Sequence, residues 1–398
     1  MRPYERTHPW ITFQIDFNQF DFALWVALGE ARSKCEHIAG VPLKPAVAAD
    51  LHKLYLAKGV RGTTAIEGNT LSEEQVLERI EGARRLPPSK EYLGREVDNI
   101  VAACQKILPE VVGAEGWRPS AQNVKELNRL VLEGVPTEEG VLPGEIRRHS
   151  VGVLGYRGAP GEDCEYLLQR LCQWLNEGIT KSPPQNRIAF GFVWAVVAHL
   201  YMAWIHPFGD GNGRTARLLE FGILLSCGVP TPAAHLLSNH YNQTREQYYR
   251  ELDRASKSGD IAGFVRYAVE GLIDGLKSQI DFIRLQQWQI AWRDYVHETF
   301  RDKNSRADVR RRHVVLDFPY GKTVPVSKLT EISPRVAAAY AGKTQKTVSR
   351  DIRELIRTAL LLKVGRNELK ANWEVILAFL PSRRTEETEN KAFVDRLK

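Results

Sequence analysis

The residues best suited to chemistry in this 398-residue chain lie in one run, Ile205-His-Pro-Phe-Gly-Asp-Gly-Asn-Gly-Arg-Thr-Ala-Arg217. An apolar stretch runs up to His206, a glycine-rich loop follows, and a second helix begins near Thr215. Gly211, Asn212 and Gly213 can take backbone angles that aim successive N–H groups at one point. The next helix adds its own unsatisfied N–H groups and its dipole, which makes an anion site. Arg214 stands at the helix start and Arg217 one turn on, so both guanidiniums reach the same anion. Their planar forks suit phosphate oxygens. Asp210 sets a carboxylate beside those phosphates, where it serves best as a Mg2+ ligand. His206 lies at the rim of the loop, and its pKa range fits a general base. A histidine ending an apolar helix is commonly a core or capping residue, and a lone glycine-rich loop says little. Here a histidine, an aspartate, three loop glycines and two arginines converge within one loop and one turn.

The elements that must hold this loop read as helices. Apolar spacing predicts helices over 46–58, 72–81, 92–108, 120–133, 164–177, 187–203, 215–226 and 244–255, and one or two long helices over 261–300. Thr70-Leu-Ser-Glu73 reads as a capping box. Gly134 and Pro136 close the helix over 120–133. Residues 136–161 are punctuated by glycine and proline, and 150–154 can pair as a short hairpin strand.

Hydrophobic residues make up 43% and charged residues 26%, the balance of a soluble globular chain. No stretch of about 18 apolar residues lacks a charge, so no membrane-spanning helix and no membrane partner are expected. The start lacks the apolar region of a signal peptide. The five cysteines are scattered with no CxxC pair, which argues against a disulfide framework or zinc site and for a cytoplasmic home.

The run His206–Arg217 matches, at every fixed position, the signature His-x-Phe-x-[Asp/Glu]-Gly-Asn-Gly-Arg-x-x-Arg of the Fic family, and the resemblance extends over about 9–276. The resemblance implies a protein AMP transferase, using ATP with Mg2+ and a Ser, Thr or Tyr hydroxyl of a target protein. His206 would deprotonate the hydroxyl and Phe208 anchor the loop. Asp210 would hold Mg2+. Gly211, Asn212 and Gly213 would cradle phosphate oxygens, with Arg214 on the β-phosphate and Arg217 on the γ-phosphate. Residues 144–160 resemble the family's flap, a hairpin over the active site that pairs with the target's backbone. Tyr248 and Tyr249 resemble a tyrosine pair lining the adenosine pocket; Ser256 stands where an asparagine often follows. Thr63-Thr-Ala-Ile-Glu67-Gly68 resembles the inhibitory motif of the subclass with an N-terminal inhibitory helix. Glu67 would pair with Arg217 and deny it to the γ-phosphate. In some members the same glutamate aligns water to remove AMP, which leaves a deAMPylase as the alternative.

The charge is uneven. Residues 301–398 carry 22 basic and 12 acidic side chains, against 33 and 36 in the first 300, so the whole surplus of +7 comes from the last quarter. There, Ser333 and Pro334 open a short helix, Gly342-Lys-Thr344 makes a turn, and 345–359 forms a second helix with Lys346, Thr347, Arg350 and Arg353 facing outward. Residues 361–364 and 368–370 suggest a hairpin wing. This resembles a winged helix-turn-helix with 345–359 as recognition helix, which implies DNA as a partner. Gly342-Lys-Thr344 is no P-loop, since Ala337 stands where the first glycine belongs. The expected fold is mainly α: a Fic-type helical core with a small β-hairpin flap, then a small α/β winged-helix domain. The expected segments are 1–92 (helical, with the inhibitory helix), 93–300 (catalytic core and trailing helices), 301–318 (charged linker), 319–380 (winged helix) and 381–398 (polar tail). A homodimer, and a DNA-binding regulator controlled by self-AMPylation, are further readings.

Overall fold

The structure is a computed structural model that describes residues 2–83, 86–113, 116–149, 152–153 and 156–377. It is mainly helical and divides into two compact units, Met1–Ile280 and Asp281–Lys398.

The first unit is built around the helix Arg187–Ile205, whose residues from Phe192 through Met202 are all buried. It is long and apolar enough to cross a bilayer, but neighbouring helices cover it, as for the core helix of a globular unit. It ends at His206, which closes it in the left-handed region with φ +50° and an N–H donating to the Met202 carbonyl at 2.9 Å. A side chain with a β-carbon is strained there, so surrounding contacts must hold it. The helix Asn212–Ser226 packs back against it, starting from Gly211 at φ +75°.

The helix Pro45–Ile66 delivers Glu67 at its C-terminal end. It lies tight against the helix Leu236–Gln243 because Gly59 and Gly62 have no side chains. A methyl group at Gly59 would strike the His235 ring, and one at Gly62 the Ser238 carbonyl at 2.6 Å. The helix Glu73–Ile80 follows, capped reciprocally by Ser72 and Gln75 rather than by Thr70 and Glu73. Ser72 is the residue whose backbone leaves the helix at the right point, so the box lies two positions later than its sequence suggests.

A short antiparallel ladder pairs Gly152–Val153 with Tyr156–Arg157. An isolated bridge joins Ile146 to Phe208. Ser150, Val151, Leu154 and Gly155, part of the expected flap strand, lie outside the described residues, as does the expected polar tail.

The second unit has its own core, including Trp292, Val296, Phe300, Val315, Leu329, Val336, Leu355 and Leu369. It holds the helices Arg306–Leu316, Pro334–Tyr340 and Gln345–Arg357, and a three-stranded antiparallel sheet in the order Thr323–Pro325, Glu368–Ala371, Leu361–Val364. Ser333 caps the helix at Pro334 as its position predicts. Two expectations are corrected here. The boundary falls at 280/281 rather than near 300, since Trp292 and Val296 on the long helix Ile261–Thr299, and Phe300 just past its end, join the second core. The expected linker over 301–318 contains the helix Arg306–Leu316. Its charges are internal partners: Arg310 and Arg311 both bind Asp351, which is fully buried and also accepts from the Tyr340 hydroxyl at 3.2 Å.

Candidate active site

The loop between the two central helices is fixed by its own amides. Phe208 is buried, and its backbone N–H and C=O both bond the Asn212 side chain at 2.9 Å. The Asn212 amide therefore staples the loop, leaving its backbone N–H at the helix start. From outside, Asn128 donates to the Asp210 carbonyl at 2.9 Å and accepts from the Gly144 N–H at 2.9 Å, tying the loop to the approach of the flap.

Both arginines are drawn inward. The Arg217 side chain is 1% exposed; one guanidinium nitrogen donates to Glu67 at 2.5 Å and to the Thr63 carbonyl at 3.1 Å. Arg214 lies 3.3 Å from Glu96 and 3.4 Å from Asp210. The Nε of each is buried with no hydrogen-bond partner among the described residues. Two buried guanidiniums with spare donors at a helix N-terminus offer a place where an anion can sit. At present the Glu67 carboxylate sits in it: a methyl group on Gly213 would fall on Glu67 Oε1. Burial by itself raises the Glu67 carboxyl. The charge and hydrogen bond of Arg217, with Arg214 and His206 behind it, outweigh that and hold it below the usual carboxylate range.

His206 is half-buried at the rim. Burial, and next the Arg147 guanidinium, pull its imidazole down from 6.5 to about 4, against Glu67 and Asp210. At neutral pH it is the free base. Arg147 is a residue that sequence reasoning missed. It is 4% exposed and donates to the carbonyls of His206 at 2.6 Å, Ala159 at 2.5 Å and His149, holding the flap's base onto the loop. Its neighbour Arg148 is exposed, and nothing in the sequence says which of the two points inward.

Asp210 is partly exposed, its side chain 42% accessible, with Oδ1 accepting from the Gly211 N–H at 2.5 Å. Its free oxygen is the hard donor that Mg2+ uses when one carboxylate and substrate phosphates complete the shell, so the site fits that ion.

The tyrosine pair is split. Tyr248 is 3% exposed, with its hydroxyl 2.8 Å from His199 Nε2 and near the Arg217 guanidinium. His199 in turn faces Glu220 at 3.4 Å, and Glu220 accepts from Tyr241 at 2.8 Å. This buried chain lies beside Arg217. Tyr249 is partly exposed, its hydroxyl 3.4 Å from the Ile66 carbonyl beside Glu67. Ser256 is buried and accepts from the Trp204 indole at 3.0 Å, so its hydroxyl supports the central helix.

Residues 118–224 match the Fic/DOC family model. The protein adenylyltransferase fic-1 of Caenorhabditis briggsae is 33% identical over 213 residues, 52% of this chain and 38% of that protein. The protein adenylyltransferase Fic of Drosophila grimshawi is 32% identical over 249 residues, 62% of this chain and 46% of that protein. The chain thus spans less than half the length of these curated relatives. Fic-1 of C. elegans (residues 134–508) superposes with a TM-score of 0.52 and 26% identity, over 65% of this chain and 72% of that one. A Fic family protein of Desulfovibrio desulfuricans shares the fold, with a TM-score of 0.52 at 20% identity over 87% of this chain and 95% of that one. With a loop that carries the full signature and a helical core around it, residues 118–224 of this chain are similar to the Fic/DOC family.

Proposed function

We propose that the first unit transfers AMP from ATP to a hydroxyl of a protein and that Glu67 holds this activity back. The observation that carries the proposal is the pair of buried arginines at the N-terminus of Asn212–Ser226, with Glu67 occupying the place of an anion 2.5 Å from Arg217. The adenylyltransferase names of the relatives support the same reading. The target hydroxyl gives its proton to the neutral His206 imidazole, and its oxygen attacks the α-phosphorus. The bond to the β-phosphate bridging oxygen breaks and pyrophosphate leaves. The loop N–H groups, Arg214 and Arg217 position the triphosphate and balance its charge, which is most of what such a transfer needs. Mg2+ held at Asp210 would neutralise phosphate charge. Tyr249 is the ring available to the nucleoside side, and Tyr248 lies beside Arg217.

With Glu67 in place, ATP cannot use Arg217 and its α-phosphorus is misaligned for attack. The test is to incubate wild type and Glu67→Gly with α-labelled ATP and cell lysate, then map the label. Strong labelling of proteins by Glu67→Gly, absent from Glu67→Gly with Arg217→Ala, supports the reading. Loss of AMP release from a modified protein, without any gain in transfer, would favour a deAMPylase that uses Glu67 and water.

For the second unit we propose a winged helix that binds duplex DNA. Lys346, Arg350 and Arg353 are exposed on Gln345–Arg357, and no carboxylate pairs with them among the described residues, in contrast to Arg310, Arg311, Arg335 and Arg357. Unpaired basic groups along one exposed helix face suit phosphates and base edges.

A further inference from the structure

We infer that Glu96, outside the signature loop, is a positioning residue of the brake: it fixes the turn that carries Glu67, through Asn69, and competes with substrate for Arg214. The inference rests on the reading of Glu67 as an inhibitory residue. Glu96 lies on the helix Glu91–Val112 with its side chain 14% exposed. One carboxylate oxygen is 3.3 Å from Arg214; the other accepts from the Asn69 amide at 2.7 Å. That amide also donates to the Leu93 carbonyl at 2.9 Å, and Asn69 Oδ1 accepts from the Leu71 N–H at 3.1 Å. Asn69 is 7% exposed, so these bonds face no competition from bulk water.

Asn69 is two residues past Glu67, and both backbone N–H groups donate to the Thr64 carbonyl at 3.1 Å. Between them Gly68 turns the chain at φ +103°, a conformation with few other residues to choose from. The turn is therefore held at two points. Glu67 grips Arg217 on one side, and Glu96 grips Asn69 on the other. Through Glu96 the second grip reaches Arg214, the other arginine of the anion site. The ring closes because Arg214 and Arg217 are one turn apart on the same helix.

This arrangement couples the two arginines. A phosphate arriving at Arg214 competes with Glu96 for the guanidinium. A Glu96 side chain that turns away also releases Asn69, and the turn loses its anchor away from Arg217. Binding at one arginine thus weakens the obstruction at the other, the differential contact that a ligand-driven shift requires. The sequence gives no hint of this, since Glu96 lies 118 residues from Arg214 in an ordinary helix.

Asn69→Ala tests it, because that change leaves the Glu96–Arg214 pair and every signature residue in place. With Glu67 present, Asn69→Ala should raise AMP transfer about tenfold, the usual worth of a buried hydrogen bond to a charged group. In the Glu67→Gly background the same change should add less than about twofold, since no brake is left to release. A merely structural asparagine would lower transfer in both backgrounds. Asn69→Ser, which keeps a short polar group in the buried site, guards against misfolding and should behave alike. If Glu67→Gly gains activity while both Asn69 variants do not, the inference is overturned and the brake stands without it. If the Glu67→Gly double variants lose transfer, Asn69 supports the site itself and the inference is overturned. If Glu67→Gly gains nothing, the brake reading falls and takes this inference with it.

Discussion

At the scale of single residues, His206 carries the sharpest prediction. Its imidazole is drawn to about 4 by burial and Arg147, so it remains a free base well below neutral pH. The acid limb of kcat/KM should therefore sit near pH 4 if it reports this group, not near its ordinary 6.5. Arg147→Met should move that limb upward, because the nearby positive charge is gone. An unmoved limb would detach Arg147 from the base. The same shift bears on stability. Between 6.5 and about 4 the unfolded imidazole takes up a proton that the native one refuses. The contribution is present above 6.5 and is lost as pH falls through that window. His206→Ala should leave ATP binding largely intact, since phosphate binding rests on N–H groups and arginines, while transfer falls by roughly 10²–10⁴. Near-normal transfer by that variant would remove His206 from the mechanism. The loop from His206 to Arg217 could be read from the sequence because its parts are contiguous and their types are chemically specific. Arg147, Asn128 and Glu96 could not, because each meets the loop through tertiary packing alone and looks like any polar residue in its own segment.

At the scale of elements, the position of Glu67 depends on how the helix Pro45–Ile66 is seated. Two glycines let it approach Leu236–Gln243 closely, and Gly62 faces backbone, which cannot rotate out of the way as a side chain can. Gly62→Ala should push the helix outward, lower stability by about 1–3 kcal/mol as overpacking does, and raise AMP transfer by withdrawing Glu67 from Arg217. Thermal unfolding and transfer should change together in opposite senses. A variant that loses stability but shows no gain in transfer would mean that the grip on Arg217 survives without the seat. The sequence pattern locates this helix but not its glycine contact, because Gly59 and Gly62 reveal their purpose only through what lies opposite. Similarly, the charge-rich stretch over 301–318 suggests a solvated linker in the sequence. It contains a helix, capped by Ser305, whose Arg310 and Arg311 are taken up by Asp351, far along the chain.

At the scale of the whole molecule, the charge is divided unevenly along the chain. The first 300 residues are slightly acidic and the remainder strongly basic. The internal ion pairs of the second unit consume Arg310, Arg311, Arg335 and Arg357, so its outward charge rests on a smaller set that includes Lys346, Arg350 and Arg353. Composition shows the surplus but not this sorting, which decides where a polyanion would touch. If the exposed face of Gln345–Arg357 binds duplex DNA, affinity should fall linearly on a log–log plot against salt. Lys346→Ala and Arg350→Ala in the full chain should each weaken binding. A change at a phosphate contact should flatten the slope by about one unit and act alike on all sequences. A change at a base contact should instead cost about 1–3 kcal/mol at one position and relax the choice of base there. Arg310 and Arg311 supply the internal control, since replacing either should disturb the fold of the unit around Asp351 without reporting on phosphate. Titration of wild type and the four variants against a random-sequence duplex at several salt concentrations separates these cases. Equal, salt-insensitive binding by wild type and the Lys346 and Arg350 variants, or no binding at low salt, would exclude duplex DNA as the partner of this helix face.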